Sequence, residues 1–182
     1  TETVEKLSEP ESLKGLFRQH RDGYPLPSSD ALKEIILLTR SILFPGYFGK
    51  PCVNVSTIKY KIGVDVENLH EMLSQQIFAG LCFDRDEVSR TSYNDQKRKA
   101  STLALKFIER LPELRHTLGT DVTAAYFGDP AAKSYAEILS CYPTIKALTN
   151  YRMAHELFLL GVPLIPRFIT EMAHSETGID IH

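Results

Sequence analysis

A mainly α-helical domain is what the sequence predicts, and three observations predict it. Apolar residues recur at 3–4 residue spacing along most of the 182-residue chain. Proline, serine and aspartate stand where helices begin, and glycine where one ends. Strand-like alternation is confined to the last five residues, Gly178-Ile179-Asp180-Ile181-His182.

The first helix is expected over residues 10–21, with Pro10 in its first turn and Leu13, Leu16 and Phe17 inward. Asp22-Gly23-Tyr24-Pro25-Leu26-Pro27 breaks it. Ser29 or Asp30 then caps a helix carrying Leu32, Ile35, Ile36 and Ile42. Phe44-Pro45-Gly46-Tyr47-Phe48-Gly49-Lys50-Pro51 is a turn-rich loop whose aromatics pack it onto the core. Asp65 caps a long helix with the face Val66, Leu69, Leu73 and Ile77. Another runs over about 94–111, with Ala100, Leu103, Ala104, Phe107, Ile108 and Leu111 in one stripe. Short pieces cover roughly 121–126 and 131–139. Pro143 opens a helix to about residue 160 that is apolar nearly all round and therefore expected to be central (Ile145, Leu148, Tyr151, Met153, Ala154, Phe158, Leu159). Gly161 closes it, and Pro163 starts a last helix with Ile165, Phe168, Ile169 and Met172 on its stripe. No repeat or low-complexity segment is present.

Composition narrows the function classes. With 43% apolar and 24% charged residues, the chain is an ordinary globular one that needs no disulfide or metal staple. A formal charge of −2 and a pI near 6.3 argue against nucleic acid or an anionic membrane as partner. Cys52, Cys82 and Cys141 are odd in number and widely spaced, and they read as reduced, small buried residues of a cytosolic protein. No signal-peptide core and no 18-residue apolar run occurs.

Generic catalytic motifs are absent. His70-Glu71 and His155-Glu156 each begin like HExxH, but Ser74 and Leu159 replace the second histidine, so no metal site is expected. There is no GxSxG or GxGxxG, and Pro51 follows Gly49-Lys50 where a P-loop needs Ser or Thr.

Three segments, in order, resemble serine O-acetyltransferase, a hexapeptide-repeat acyltransferase. They are Gly128-Asp129-Pro130-Ala131-Ala132-Lys133-Ser134-Tyr135; Tyr142-Pro143-Thr144-Ile145-Lys146-Ala147-Leu148 with Tyr151-Arg152-Met153-Ala154-His155-Glu156-Leu157; and Thr177-Gly178-Ile179-Asp180-Ile181-His182. The match covers about residues 121–182. Further upstream, Leu43-Phe44-Pro45-Gly46-Tyr47-Phe48-Gly49 resembles the subgroup with an extended amino-terminal helical region. The resemblance implies a helical amino-terminal domain over residues 1–174. It also implies that residues 175–182 lead into a left-handed parallel β-helix whose coils lie beyond the chain.

The activity so implied is acetyl transfer from acetyl-CoA to the hydroxyl of L-serine, giving O-acetylserine, the first step of cysteine biosynthesis. No permanently bound cofactor is implied; acetyl-CoA is a co-substrate. In the family a histidine is general base on the serine hydroxyl, a poor nucleophile at neutral pH, and a carboxylate orients the imidazole. Asp129 matches the carboxylate that holds serine, and Asp180 the one that orients the base. By pattern alone, Asp129 is a turn or cap residue and Asp180 an outward polar position. Arg152 and His155, three apart on one helix, read as a hydrogen-bonded polar pair bracing helix against helix, and His182 also reads as structural. The base itself, the rest of the substrate pocket and the CoA-binding coils are expected after residue 182. The 182 residues alone are therefore expected to be inactive.

Implied partners are a homo-oligomer, a trimer or dimer of trimers, and O-acetylserine sulfhydrylase docking at the extreme carboxyl terminus. The alternative is a helical oligomerisation or partner-docking module without chemistry. A different hexapeptide acyltransferase is a third reading, against which Asp129 in its Asp-Pro-Ala context argues. Downstream coils of the form Ile-Gly-x-x-x-x, with a histidine a dozen or more residues on, would separate enzyme from module.

Overall fold

The computed structural model describes residues 1–13, 24–50, 53–83 and 92–181. Among them are seven α-helices: α1 (Glu2–Ser8), α2 (Ser29–Leu43), α3 (Ile58–Phe83), α4 (Tyr93–Gly128), α5 (Tyr135–Cys141), α6 (Pro143–Leu159) and α7 (Ile165–Thr177). A 3-10 turn spans Pro10–Leu13, and no strand forms among the described residues. The mainly α expectation holds. Leu16, Phe17, Arg21, Asp22, Gly23, Pro51, Cys52 and His182 lie outside the described residues.

Helix α1 was not expected from periodicity, and it buries nothing: Val4 and Leu7 are exposed. A Lys6–Glu2 ion pair one turn apart, 2.7 Å, supports it.

The cap of α2 is one residue earlier than expected. Ser28, in an extended conformation, accepts a hydrogen bond from the Ala31 N–H at 3.3 Å. Its own N–H donates to Gln76 Oε1 of α3 at 2.8 Å, so the cap is chosen by a tertiary contact. Helix α3 begins seven residues before Asp65. Asp65 is therefore not a cap but the acidic partner of Lys61 one turn back. Leu69, Leu73 and Ile77 are buried as the stripe requires.

The largest correction is α4. Two pieces were expected, at 94–111 and 121–126; the structure has one helix of 36 residues that passes through Pro112. Ser92 caps it, accepting from the Asp95 N–H at 3.3 Å. A proline inside a helix loses one backbone hydrogen bond and costs about 3 kcal/mol. Beyond it, Leu114, Leu118 and Val122 stay on the buried face. Burying three such side chains contributes about 5–9 kcal/mol, which outweighs the interruption. The stripe is longer than the local break is strong.

Helix α5 is capped by Ser134, whose hydroxyl accepts from the Glu137 N–H at 3.1 Å. It starts at Tyr135, not near 131, because Ala131 and Ala132 are drawn into the turn after α4. Helix α6 is not buried all round. Ile145, Ala147, Met153, Ala154 and Leu157 face inward, while Phe158 and Leu159 are 68% and 62% exposed. Helix α7 starts at Ile165, after Leu164 turns with φ 64° and Pro166 takes a first-turn place. The turn sits against α3 at Gly80, where an added Cβ would stand 2.8 Å from the Pro163 carbonyl oxygen. Gly178, at φ 72°, ends α7 with its N–H on the His174 carbonyl at 2.8 Å. The expected alternation after it is not paired as a strand: 179–181 carry no regular structure.

One core holds α2, α3, α4, α6 and α7 together, centred on Leu32, Ile35, Leu69, Leu73, Ile77, Phe107, Leu118, Met153, Ile165 and Ile169. The α3–α4 and α6–α7 pairs make the most extensive helix contacts. In the aromatic loop, Phe44 packs on the core as expected and its ring meets Phe48 at 6.1 Å, while Tyr47 is exposed, contrary to expectation. Cys82 is buried, and burial pushes its thiol pKa up. Cys141 is exposed, contrary to expectation, because the short α5 turns only Ile138 fully inward. A second, smaller cluster forms where α4, α5 and the start of α6 meet: Val122, Ile138 and Ile145, with Tyr126 and Tyr142 packed on it.

Candidate functional site

The turn between α4 and α5 stands on that smaller cluster. Asp129 is the residue after α4, with its N–H on the Ala125 carbonyl at 3.2 Å. Its side chain accepts two hydrogen bonds from different directions. Oδ1 takes the Ala131 N–H at 2.9 Å, a local turn contact that Asp before proline readily makes. Oδ2 takes the Tyr142 hydroxyl at 2.5 Å, a contact across 13 residues. The Tyr142 hydroxyl, and next the Ala131 N–H, hold the Asp129 carboxyl below the usual aspartate range. In return the Asp129 carboxylate pushes the Tyr142 phenol up to about 12, so it remains a donor at any physiological pH. Each carboxylate oxygen keeps a second lone pair. Asp129 is thus an oriented, half-buried anion, suited to an ammonium or hydroxyl group from outside.

Asp180 is exposed, two residues beyond Gly178. A polar cluster anchors the last turn of α7, and Gly178 turns the chain away after it. Arg40 of α2, buried in the core, donates to both Glu176 oxygens at 3.2 and 2.8 Å and to Asn150 Oδ1 at 2.9 Å. Lys146 of α6 joins Glu176 at 2.9 Å. Burial acts to raise the Glu176 carboxyl, but the Arg40 and Lys146 contacts together hold it below the ordinary glutamate range. Lys146 lies one turn past Tyr142, and Glu176 lies four residues before Asp180. The start of α6 and the end of α7 therefore meet, and Asp129 and Asp180 come to the same end of the α6–α7 hairpin.

Arg152 and His155 do not form the expected pair. Arg152 turns to Asp121 on α4, with Nε and Nη2 each 2.6 Å from a carboxylate oxygen. That contact braces α6 against α4 and raises the guanidinium pKa further. His155 is exposed and stacks on Tyr151 at 5.9 Å. Three spacings put two residues on one helical side without deciding which partner each takes. Tyr142, Arg40 and Glu176 escaped sequence reasoning as individual contributors. Tyr142 stood inside a quoted motif, but no periodicity links it to a turn 13 residues earlier. Among the described residues, no group of three or more His, Cys, Asp or Glu is placed to hold a metal ion. No helix there is long and apolar enough to cross a membrane.

Comparison with known proteins gives a consistent set of relatives. No protein-family model matches the chain. It is 44% identical over 161 residues to a plasmid serine acetyltransferase of Synechococcus elongatus, covering 87% of this chain and 50% of that protein. A serine acetyltransferase of Synechocystis is 40% identical over 67 residues, 37% of this chain and 27% of that protein. Among solved structures, native serine acetyltransferase 1 of Entamoeba histolytica superposes with a TM-score of 0.64 at 28% identity, over 93% of this chain and 57% of that one. The same Entamoeba protein in complex with L-cysteine matches with a TM-score of 0.64, over 94% and 57%. The chain thus spans about half the length of the Synechococcus plasmid protein. Its homologues, in sequence and in structure, are serine acetyltransferases.

Proposed function

We propose that this homologue of the serine acetyltransferases supplies the helical half of a serine O-acetyltransferase, and that Asp129 and Asp180 form one edge of its site. The observation that carries the reading is the Asp129 carboxylate, ionised and fixed by two donors, in a chain 44% identical to a serine acetyltransferase over 161 residues. A fixed carboxylate receives the ammonium group of L-serine and, through its other oxygen, orients the hydroxyl. Asp180 accepts a ring N–H of a general-base histidine beyond residue 182, fixes its tautomer and stabilises the imidazolium. The base takes the serine hydroxyl proton as the oxygen attacks the thioester carbonyl of acetyl-CoA. The tetrahedral oxyanion collapses, CoA leaves as the thiol, and O-acetylserine remains. Acetyl-CoA is bound by left-handed β-helix coils that residues 175–182 lead into.

Association of several copies, as a trimer or dimer of trimers, belongs to the same proposal. It is supported by Phe158 and Leu159, adjacent apolar residues exposed at the end of α6. A cytoplasmic location and docking of O-acetylserine sulfhydrylase complete the picture. The deciding experiment is an assay of the full-length enzyme with acetyl-CoA and L-serine, following release of free thiol. Thiol release that depends on serine supports the reading. Release with other hydroxyl acceptors but not serine points to a different acyltransferase, and no release points to a docking module.

A further inference from the structure

A turn aspartate held only by the backbone two residues on retains freedom to swing its second oxygen about the Cβ–Cγ bond. Asp129 lacks that freedom, because Tyr142 reaches its Oδ2 while Ala131 holds Oδ1. The tyrosine is itself well anchored. It precedes Pro143 at the start of α6, its N–H is on the Ile138 carbonyl at 3.1 Å, and its ring packs on the cluster of Val122, Ile138 and Ile145. The hydroxyl is thus delivered from a platform built by three helices, and the carboxylate is delivered by the turn opposite.

We propose that Tyr142 is a positioning residue of the serine subsite: its hydroxyl locks the Asp129 carboxylate in one orientation, leaving a lone pair on one oxygen for the incoming ammonium group and on the other for the serine hydroxyl. This rests on the reading of Asp129 as the serine-binding carboxylate. Serine and its close analogues differ in where the ammonium sits relative to the reacting oxygen. A carboxylate fixed at both oxygens selects among them, whereas a rotating one does not. Besides Asp129, the charged or titratable groups bearing on Tyr142 are Glu137 and Cys141 of α5.

The test is Tyr142→Phe, which keeps the ring on its cluster and removes the hydroxyl, with Tyr126→Phe as a control tyrosine on the same cluster. Two readouts are taken: the NMR titration of the Asp129 carboxyl in this chain, and the Michaelis constants of the full-length enzyme. The expected result for Tyr142→Phe is an Asp129 titration moved up toward the ordinary aspartate range. The serine KM rises roughly 5- to 10-fold while the acetyl-CoA KM stays constant. Tyr126→Phe changes neither. An Asp129 titration unmoved by Tyr142→Phe overturns the inference. So does an unchanged serine KM in an enzyme whose Asp129→Asn variant has lost serine affinity; in that case the serine reading stands and the role of Tyr142 falls. If Asp129→Asn itself leaves the serine KM unchanged, the reading and the inference fall together.

Discussion

Arg40 and Glu176 lie 136 residues apart in the chain, and the guanidinium of one grips the carboxylate of the other through two hydrogen bonds. The Arg40 side chain is 1% exposed and the Glu176 side chain 37% exposed, so a core cation is neutralised by a carboxylate at the surface. The pair ties α2 to the last turn of α7, from which Asp180 departs.

Breaking that pair from its acidic side leaves a buried guanidinium with only neutral acceptors. Glu176→Gln is expected to lower stability by about 1–2 kcal/mol, less than for a fully buried pair because water reaches Glu176. Chemical denaturation of this chain measures it; an unchanged midpoint would show the contact to be energetically neutral.

The same carboxylate makes a pH signature. Its folded pKa lies below its unfolded value, so its stabilisation is complete above the ordinary glutamate range and is lost as pH falls through the folded pKa. The wild-type chain should therefore lose stability more steeply on acidification than Glu176→Gln. Parallel melting-temperature curves for the two proteins from neutral pH down to the acid limb would contradict this.

The Asp121–Arg152 contact is bidentate and mostly buried, with the side chains 15% and 27% exposed. Asp121→Asn should cost about 2 kcal/mol, since a guanidinium shaped for two acceptors then meets an amide. Thermal unfolding gives the answer, and a shift below one degree would mark the contact as surface decoration.

Pro112 is exposed in the middle of α4. Alanine restores a backbone donor and relieves the ring clash, and the gain is partly offset by a freer unfolded chain. Pro112→Ala is expected to stabilise the chain by about 1–2 kcal/mol. Destabilisation would mean that the proline shapes α4 in a way its neighbours require.

If Asp129 holds serine, Asp129→Asn removes charge and retains shape. In the full-length enzyme kcat/KM for serine should fall roughly 10- to 100-fold with the acetyl-CoA KM nearly constant. Equal loss for both substrates together with a lowered melting temperature would reduce Asp129 to a turn residue.

Much of this protein was written in local pattern. Leu69, Leu73 and Ile77, or Ala100 through Leu111, recur at helical spacing, and such a stripe finds its core whatever the neighbours are. The order of the Asp-Pro-Ala turn, the Tyr-Arg-x-x-His helix and the Gly-Ile-Asp-Ile segment likewise marked the relatives and the candidate aspartates without any coordinates. Other features could be settled only by tertiary structure, because each balances a local preference against a distant partner. Pro112 argues for a break, and the burial of Leu114, Leu118 and Val122 overrules it. Helix α6 is apolar on nearly every side, and the positions of α4 and α7 decide that Met153 goes in while Phe158 stays out. Arg152 has Glu156 one turn ahead on its own helix, yet it takes Asp121, 31 residues away. Asp129 announces a turn by itself; its fixed orientation comes from Tyr142, and a hydrogen bond that needs two helices to be packed first leaves no period in the sequence.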